Sequence, residues 1–174
     1  MKAIVFPGQG SQYVGMGRDF YDTFSEAKEV FHEVDDALEF KLSDIILNGP
    51  IESLNLTENT QPAIMTVGVA IYRTLRKQKI NELKDYSFFA GHSLGEYTSL
   101  ICSNSLTLRD GAKILKERGK SMQEAVPVNV GAMAAVLGAE IDLINEVINK
   151  NNPFTGIAEI SNDNCPGQIV ISGN

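Results

Sequence analysis

The chain has 174 residues, 43% of them hydrophobic, which is enough to bury one sizeable core or a core with a small annex. Its 15 basic and 22 acidic residues give a formal net charge of −7, which argues against nucleic acid or an anionic membrane as the main partner. Cys102 and Cys165 lie outside any metal-ligand spacing and point to reduced thiols in a cytosolic setting. The apolar start, residues 1–6, is too short for a signal peptide or a membrane span. A cytoplasmic α/β protein with no bound metal is expected.

Lys2 to Phe6 predicts a short buried strand that runs into Pro7-Gly8-Gln9-Gly10-Ser11-Gln12. That loop fits neither the dinucleotide glycine pattern nor a Walker loop. It reads as a backbone brought close to a ligand, with Gln9 offering an N–H and an amide, or as a plain strand-end turn. Ser25 to Leu38 has helical spacing, with Ala27, Val30, Phe31, Val34 and Leu38 on one face. Gly49-Pro50 ends a second short helix. Thr60 reads as the cap of a long helix with Pro62 in its first turn, apolar nearly all round through Ile64, Val67, Val69, Ala70, Ile71 and Leu75. The end of that helix, Arg73 to Lys79, is basic and predicted to be solvated.

The stretch Ser87-Phe88-Phe89-Ala90-Gly91-His92-Ser93-Leu94-Gly95-Glu96 changes character within a few residues. An apolar run that reads as a buried strand breaks at Gly91, and a helix-like segment runs from Leu94 to Cys102. Gly91-x-Ser93-x-Gly95 between them has the spacing of a nucleophile elbow, which also occurs in ordinary Gly/Ser loops. In an elbow the turn is too tight for side chains on its flanks. The serine hydroxyl stands proud of the sheet, and the first helical N–H groups sit where an oxyanion would form.

Thr107 to Val126 predicts a helix. At about 100° per residue, Arg109, Lys113, Lys116 and Lys120 fall within about 60° of one another and read as a solvated stripe. Arg118 lies about 180° from Arg109 and shares its side with Gly111, Ile114, Leu115 and Met122. A cation on an apolar face is costly unless an anion meets it, and a guanidinium suits a bidentate grip on a carboxylate. The other reading has Arg118 snorkelling out or pairing with a local acid. Pro127 marks a boundary between a core over 1–126 and a small domain over 127–174. The latter has strand Gly131 to Leu137, helix Glu140 to Asn149 with Ile141, Leu143, Ile144, Val147 and Ile148 inward, strand Gly156 to Ile160 and strand Gln168 to Ser172. That order is the first part of a ferredoxin-like βαββαβ unit. A serine nucleophile also needs a general base. His92 neighbours Ser93 on the turn and should point elsewhere, and His32 falls on the polar side of its helix, so the base is expected from a segment after position 174.

Together these stretches resemble the malonyl-CoA:acyl-carrier-protein transacylase family of type II fatty acid synthesis over the whole chain. The residues carrying the likeness are Phe6-Pro7-Gly8-Gln9-Gly10-Ser11-Gln12, Gly91-His92-Ser93-Leu94-Gly95-Glu96, Arg118-Gly119 with Met122-Gln123, and Asn162-x-Asn164-x-Pro166-x-Gln168-Ile169-Val170-Ile171-Ser172-Gly173. The resemblance implies an α/β-hydrolase-like core with a nucleophile elbow and an incomplete ferredoxin-like subdomain. Ser93 becomes the acylated nucleophile, and the N–H groups of Gln9 and Leu94 become the oxyanion hole. Arg118 clamps the malonyl carboxylate, Met122 lines the acyl pocket, and His92 joins the substrate-binding set. Asn162 and Asn164 lie near the carrier or cofactor side of the cleft. Malonyl-CoA is then a substrate and not a cofactor, and acyl carrier protein is the partner. That carrier is acidic, so its docking face should be basic: Arg109/Lys113/Lys116/Lys120 or Arg73/Arg76/Lys77/Lys79. The family's histidine would lie in a C-terminal remainder of the enzyme. The competing readings are an α/β-hydrolase esterase, which leaves Arg118 without a task, and a fragment that folds or binds CoA without turnover.

Overall fold

The computed structural model describes residues 1–78, 86–126, 130–150 and 156–174, so Lys79 and the boundary residue Pro127 lie outside the described residues. Helices and strands are mixed throughout, and the chain divides into two compact units, Met1–Gln123 and Glu124–Asn174. Among the described residues no helix is long and apolar enough to cross a membrane.

In the first unit, β1 (Lys2–Phe6) pairs in parallel with β2 (Tyr86–Gly91), setting Phe6 opposite Gly91. Between them come α1 (Arg18–Thr23), α2 (Ser25–Leu38), α3 (Leu42–Asn48), α4 (Ile51–Asn55) and α5 (Thr57–Lys77). After β2 follow α6 (Leu94–Cys102) and α7 (Leu108–Ala125). The apolar stripe of α2 is the one its spacing predicts: Ala27, Val30, Phe31 and Val34 are fully buried. They join Leu42, Ile46, Leu54, Met65, Leu94 and Leu115 in one core. The junction of α2 and α3 is held by a buried carboxylate, Asp35, which accepts from the Ser43 N–H at 2.9 Å and its hydroxyl at 2.6 Å. Lys41 stands 3.4 Å from the same carboxylate, so the charge is matched as well as bonded.

Two features differ from the sequence expectation here. Strands β1 and β2 are not buried: only Phe6 is enclosed, while Val5 is 71% and Phe88 54% exposed. The alternation of the strands sends Ile4, Phe6 and Phe89 towards the core, and Val5 and Phe88 to the face that no described residue covers. The long helix also starts earlier than its expected cap. Thr60 lies inside α5, where its hydroxyl donates to the carbonyls of Leu54 (2.5 Å) and Leu56 (3.1 Å), and Asn59 donates to Ser53 O at 2.8 Å. These side chains lash the start of α5 to α4, so tertiary bonds replace the cap. Pro62 consequently falls beyond the first turn.

In the second unit, β3 (Ala132–Leu137), α8 (Ile141–Lys150), β4 (Ala158–Cys165) and β5 (Gln168–Gly173) form a three-stranded sheet in the order β3-β5-β4, antiparallel throughout. Strand β4 runs further than expected, through Asn162 and Asn164, with irregular register at Ile160/Asn162 and Asp163/Cys165. Helix α8 buries only Ile144; Leu143 and Val147, expected inward, are about half exposed (54% and 50%). Leu143 and Val147 form the stripe beside Ile144 and Ile148, about 100° round the helix, and a sheet of three strands covers only one of the two.

Cys102 sits in the core of the first unit, and burial pushes its thiol up to about 12 from an ordinary value of 9.0, with Arg73 acting weakly in the opposite sense. Between pH 9 and about 12 the folded chain keeps a proton that the unfolded chain has lost, so this group lowers stability as pH rises through that window. A thiol-reactive disulfide reagent at pH 8 should label exposed Cys165 quickly and Cys102 only after denaturant is added. Equal fast labelling of both would contradict the buried placement.

Candidate active site

At the end of β2 the chain turns a corner that only small residues permit. A Cβ at Gly91 would lie 2.0 Å from the Gly95 carbonyl oxygen, and one at Gly95 would lie 2.5 Å from the Phe6 carbonyl oxygen. Both glycines are therefore fixed by close backbone approach. Ser93, between them, has φ 53° and ψ −113°, a conformation that costs a serine about 1–3 kcal/mol and is held by its surroundings. The His92 N–H donates to Phe6 O (3.2 Å) and the Gly95 N–H to His92 O (2.9 Å), so strand end and helix start are locked together. Leu94, buried, opens α6 and puts its amide next to the exposed Ser93 hydroxyl.

The first loop lies against this corner. A Cβ at Gly8 would be 2.6 Å from the His92 ring Nδ1, so loop and His92 are in contact. The loop is braced locally: the Ser11 hydroxyl donates to Gly8 O (3.0 Å), the Gly10 N–H to the Gln12 side chain (2.8 Å), and the Gln12 amide to Asn55 (2.9 Å). Gln9 is exposed within it.

Arg118 reaches the same place from α7. Its Nη2 donates to Ser93 Oγ at 3.1 Å and its Nη1 to Gln61 Oε1 at 2.6 Å, while the Tyr97 ring lies 5.8 Å from the guanidinium carbon. The helix can bring the arginine in because Leu108, Gly111, Ala112, Leu115 and Gly119 form its buried side and Arg118 stands at the edge, half-buried. Gly119 allows close contact with the start of α5: a Cβ there would be 2.5 Å from Glu58 Cα and Thr57 O. Met122, half exposed, accepts at Sδ from the Gln61 amide (3.2 Å). Ile114, expected on the buried side, is 42% exposed.

Gln61 is the residue that sequence reasoning missed. It is 1% exposed and joins Arg118 to Met122. A polar amide inside a helix apolar nearly all round was the available signal, of the same kind that marked Arg118. Asn162, half-buried on β4 opposite Val170, belongs to the second unit. His32 is on the surface of α2, its Nε2 3.3 Å from the Tyr21 hydroxyl.

The two basic clusters are partly committed. Lys116, expected in a solvated stripe, is half-buried, donating to Asn59 (2.8 Å), 3.5 Å from Glu58 and 5.1 Å from the Phe40 ring centre. Arg73 pairs with Glu33 (3.0 Å) and Lys77 with Glu26 (2.7 Å). The bond to Lys77 holds the Glu26 carboxyl below its ordinary value, and Glu26 raises Lys77 in return, so the pair stays charged. An open cleft of about 350 Å³ lined by Tyr72, Arg73, Arg76, Lys77, Cys102 and Asn104 lies at this end of α5. Its first lining residue on α5, Tyr72, is about 16 Å along the helix from Gln61 at 1.5 Å per residue, and the cleft's lining does not include Ser93 or Arg118.

A serine held on a strained corner, with a guanidinium on its oxygen, is an arrangement suited to acyl transfer, and the sequence matches the acyl transferase domain family over residues 3–174. The chain belongs to that family. Among its relatives is the malonyl CoA-acyl carrier protein transacylase of Bacillus subtilis (strain 168), 43% identical over 98% of this chain and 53% of the relative. Among solved structures, the acyl-carrier-protein-S-malonyltransferase of Bartonella henselae superposes with a TM-score of 0.90 at 48% identity, over 99% of this chain and 55% of that one. A malonyl-transacylase solved in complex with its type II PKS acyl-carrier protein gives a TM-score of 0.89 at 39% identity, over 98% of this chain and 54% of that one. The chain thus spans about half the length of the relatives it matches.

Gly119→Ala tests the approach of α7 to α5. The added methyl meets backbone, so the helices must separate, at a cost of about 1–3 kcal/mol in chemical denaturation. The Arg118–Gln61 bond should open with them. Unchanged stability would show that the contact is looser than described.

Proposed function

We propose that this chain is the nucleophile-bearing portion of an acyltransferase that moves a malonyl group from malonyl-CoA to the phosphopantetheine thiol of acyl carrier protein, in the cytoplasmic synthesis of fatty acids. The observation that carries the reading is the 3.1 Å contact between Arg118 Nη2 and Ser93 Oγ. It puts a carboxylate-binding cation at the point where an acyl ester would form. The names of the relatives, including the one seen with its carrier protein, support the same substrate and partner.

In this mechanism Ser93 Oγ attacks the thioester carbonyl carbon, and the C–O bond forms as its proton passes to a base. The N–H groups of Gln9 and Leu94 hold the tetrahedral oxyanion. The C–S bond then breaks, CoA leaves as the thiol, and malonyl-Ser93 remains. The carrier thiol repeats the attack on this ester and regenerates the serine. Arg118 grips the malonyl carboxylate in both halves, with Met122 and His92 at the edge of the acyl site. No cofactor takes part. His32 stands beside Tyr21 and His92 turns its ring to Gly8, so we assign the base to a further segment of the enzyme. The tight corner supports reading the first unit as an α/β-hydrolase-like core with a nucleophile elbow. The β3-β5-β4 order, with α8 between β3 and β4, supports part of a ferredoxin-like fold for the second.

With the second half of a related enzyme supplied in trans to provide the base, incubation with malonyl-CoA should leave a malonyl mass on Ser93 that is absent from Ser93→Ala. Arg118→Ala should cut the preference for malonyl-CoA over acetyl-CoA by about 30-fold, the equivalent of about 2 kcal/mol for losing the charge-assisted grip on the malonyl carboxylate. Transfer to carrier protein should require the second half of a related enzyme supplied in trans. Hydrolysis of simple esters with no stable adduct would favour an esterase, and full turnover by the 174-residue chain alone would overturn the assignment of the base.

A further inference from the structure

We infer that Gln61 is a specificity-determining residue: by pinning Arg118 against the nucleophile it sets the length of the acyl chain that the site accepts, admitting a three-carbon diacid and rejecting a four-carbon one. The inference rests on the acyl-serine reading above and concerns which acid-tipped thioester can be gripped.

A guanidinium carries donors only, so the Gln61 oxygen must face Arg118 and its NH₂ must face the other way, where it meets Met122 Sδ. Both ends of the amide are thereby used, and its orientation follows from chemistry. The anchor itself is firm. Gln61 is 1% exposed and follows directly on Asn59 and Thr60, whose side chains fasten the start of α5 to the carbonyls of Ser53 and Leu54. Arg118 is held at one end by this amide and on one side by the Tyr97 ring. These contacts occupy one N–H on each terminal nitrogen and leave the others for a bidentate grip.

The span between clamp and nucleophile is thus fixed by the protein. In a malonyl ester the carboxylate carbon is three bonds from the serine oxygen, and in a succinyl ester it is four, each bond adding about 1.5 Å of contour. With Nη2 3.1 Å from Ser93 Oγ, the shorter acid meets the free N–H groups while its carbonyl is still at the serine. The longer acid must fold back or displace the guanidinium from Gln61. A displacement of about 1 Å costs up to about 100-fold in rate.

The test supplies the second half of a related enzyme in trans to provide the base and follows acylation of Ser93 over time by malonyl-CoA, succinyl-CoA and acetyl-CoA at one concentration, read by peptide mass. The wild-type chain should take malonyl at least about 30-fold faster than succinyl. Gln61→Ala, with Arg118 free to swing, should bring that ratio to within about threefold; Gln61→Asn serves as the second variant if circular dichroism shows the first unfolded. A merely structural role would slow both acids together and leave the ratio unchanged, and that result overturns the proposal. Equal wild-type rates for malonyl and succinyl also overturn it while leaving acyl transfer through Ser93 intact. No adduct on Ser93 from any thioester overturns the functional reading itself.

Discussion

The guanidinium of Arg118 ties three helices into one site. It rises from α7, bonds an amide on α5, lies by a ring on α6 and ends on the hydroxyl at the mouth of that helix. A cation half removed from water must find partners for its donors, and each partner restricts where the helices can stand. Gly119 brings α7 into backbone contact with the start of α5, and the lashing of α5 to α4 keeps that start in place. The position of one charge therefore depends on small residues and side-chain bonds on three neighbouring elements.

The corner at Ser93 has a different basis. Its geometry is imposed by what cannot fit: no Cβ is possible at Gly91 or Gly95, and the serine occupies a backbone conformation that a serine avoids elsewhere. The parallel pairing of β1 and β2 sets Phe6 beside the turn, and its carbonyl receives the His92 N–H. Strain at the serine is sustained by this packing. The result is an exposed hydroxyl beside the start of α6, 3.1 Å from the Arg118 guanidinium.

Membership of the acyl transferase domain family gives this geometry its chemical sense, and the relatives matched here are about twice as long as the chain. Acyl transfer divides its labour between a nucleophile, donors for the oxyanion, a binding group for the acyl tail and a base. The first unit brings Ser93 and Arg118, which the proposed reaction uses as nucleophile and tail-binding group, within one hydrogen bond of each other. In that reaction selectivity and reactivity share a single contact, and the proposal for Gln61 follows from its bond to Arg118.

The sequence by itself determined what depends on neighbours in the chain. The glycines at 91 and 95, the stripe of α2 and the odd side of Arg118 are local patterns, and the family likeness follows from motifs in order. The order of β1, α2, α3, α5, β2, α6 and α7, and of β3, α8, β4 and β5, was legible too, because alternation and helical spacing are short-range properties; the short helices α1 and α4 were not. Tertiary structure decided the remainder. Thr60 looked like a cap until α4 supplied carbonyls that drew the helix start back to Thr57. Lys116 looked solvated until Glu58, Asn59 and Phe40 came up against it. Val5, Phe88, Leu143 and Val147 looked buried, but burial depends on what lies across each face, which no single segment records. Gln61 was hidden for the same reason: an amide acquires its role only when a helix 57 positions later in the chain sets a guanidinium against it.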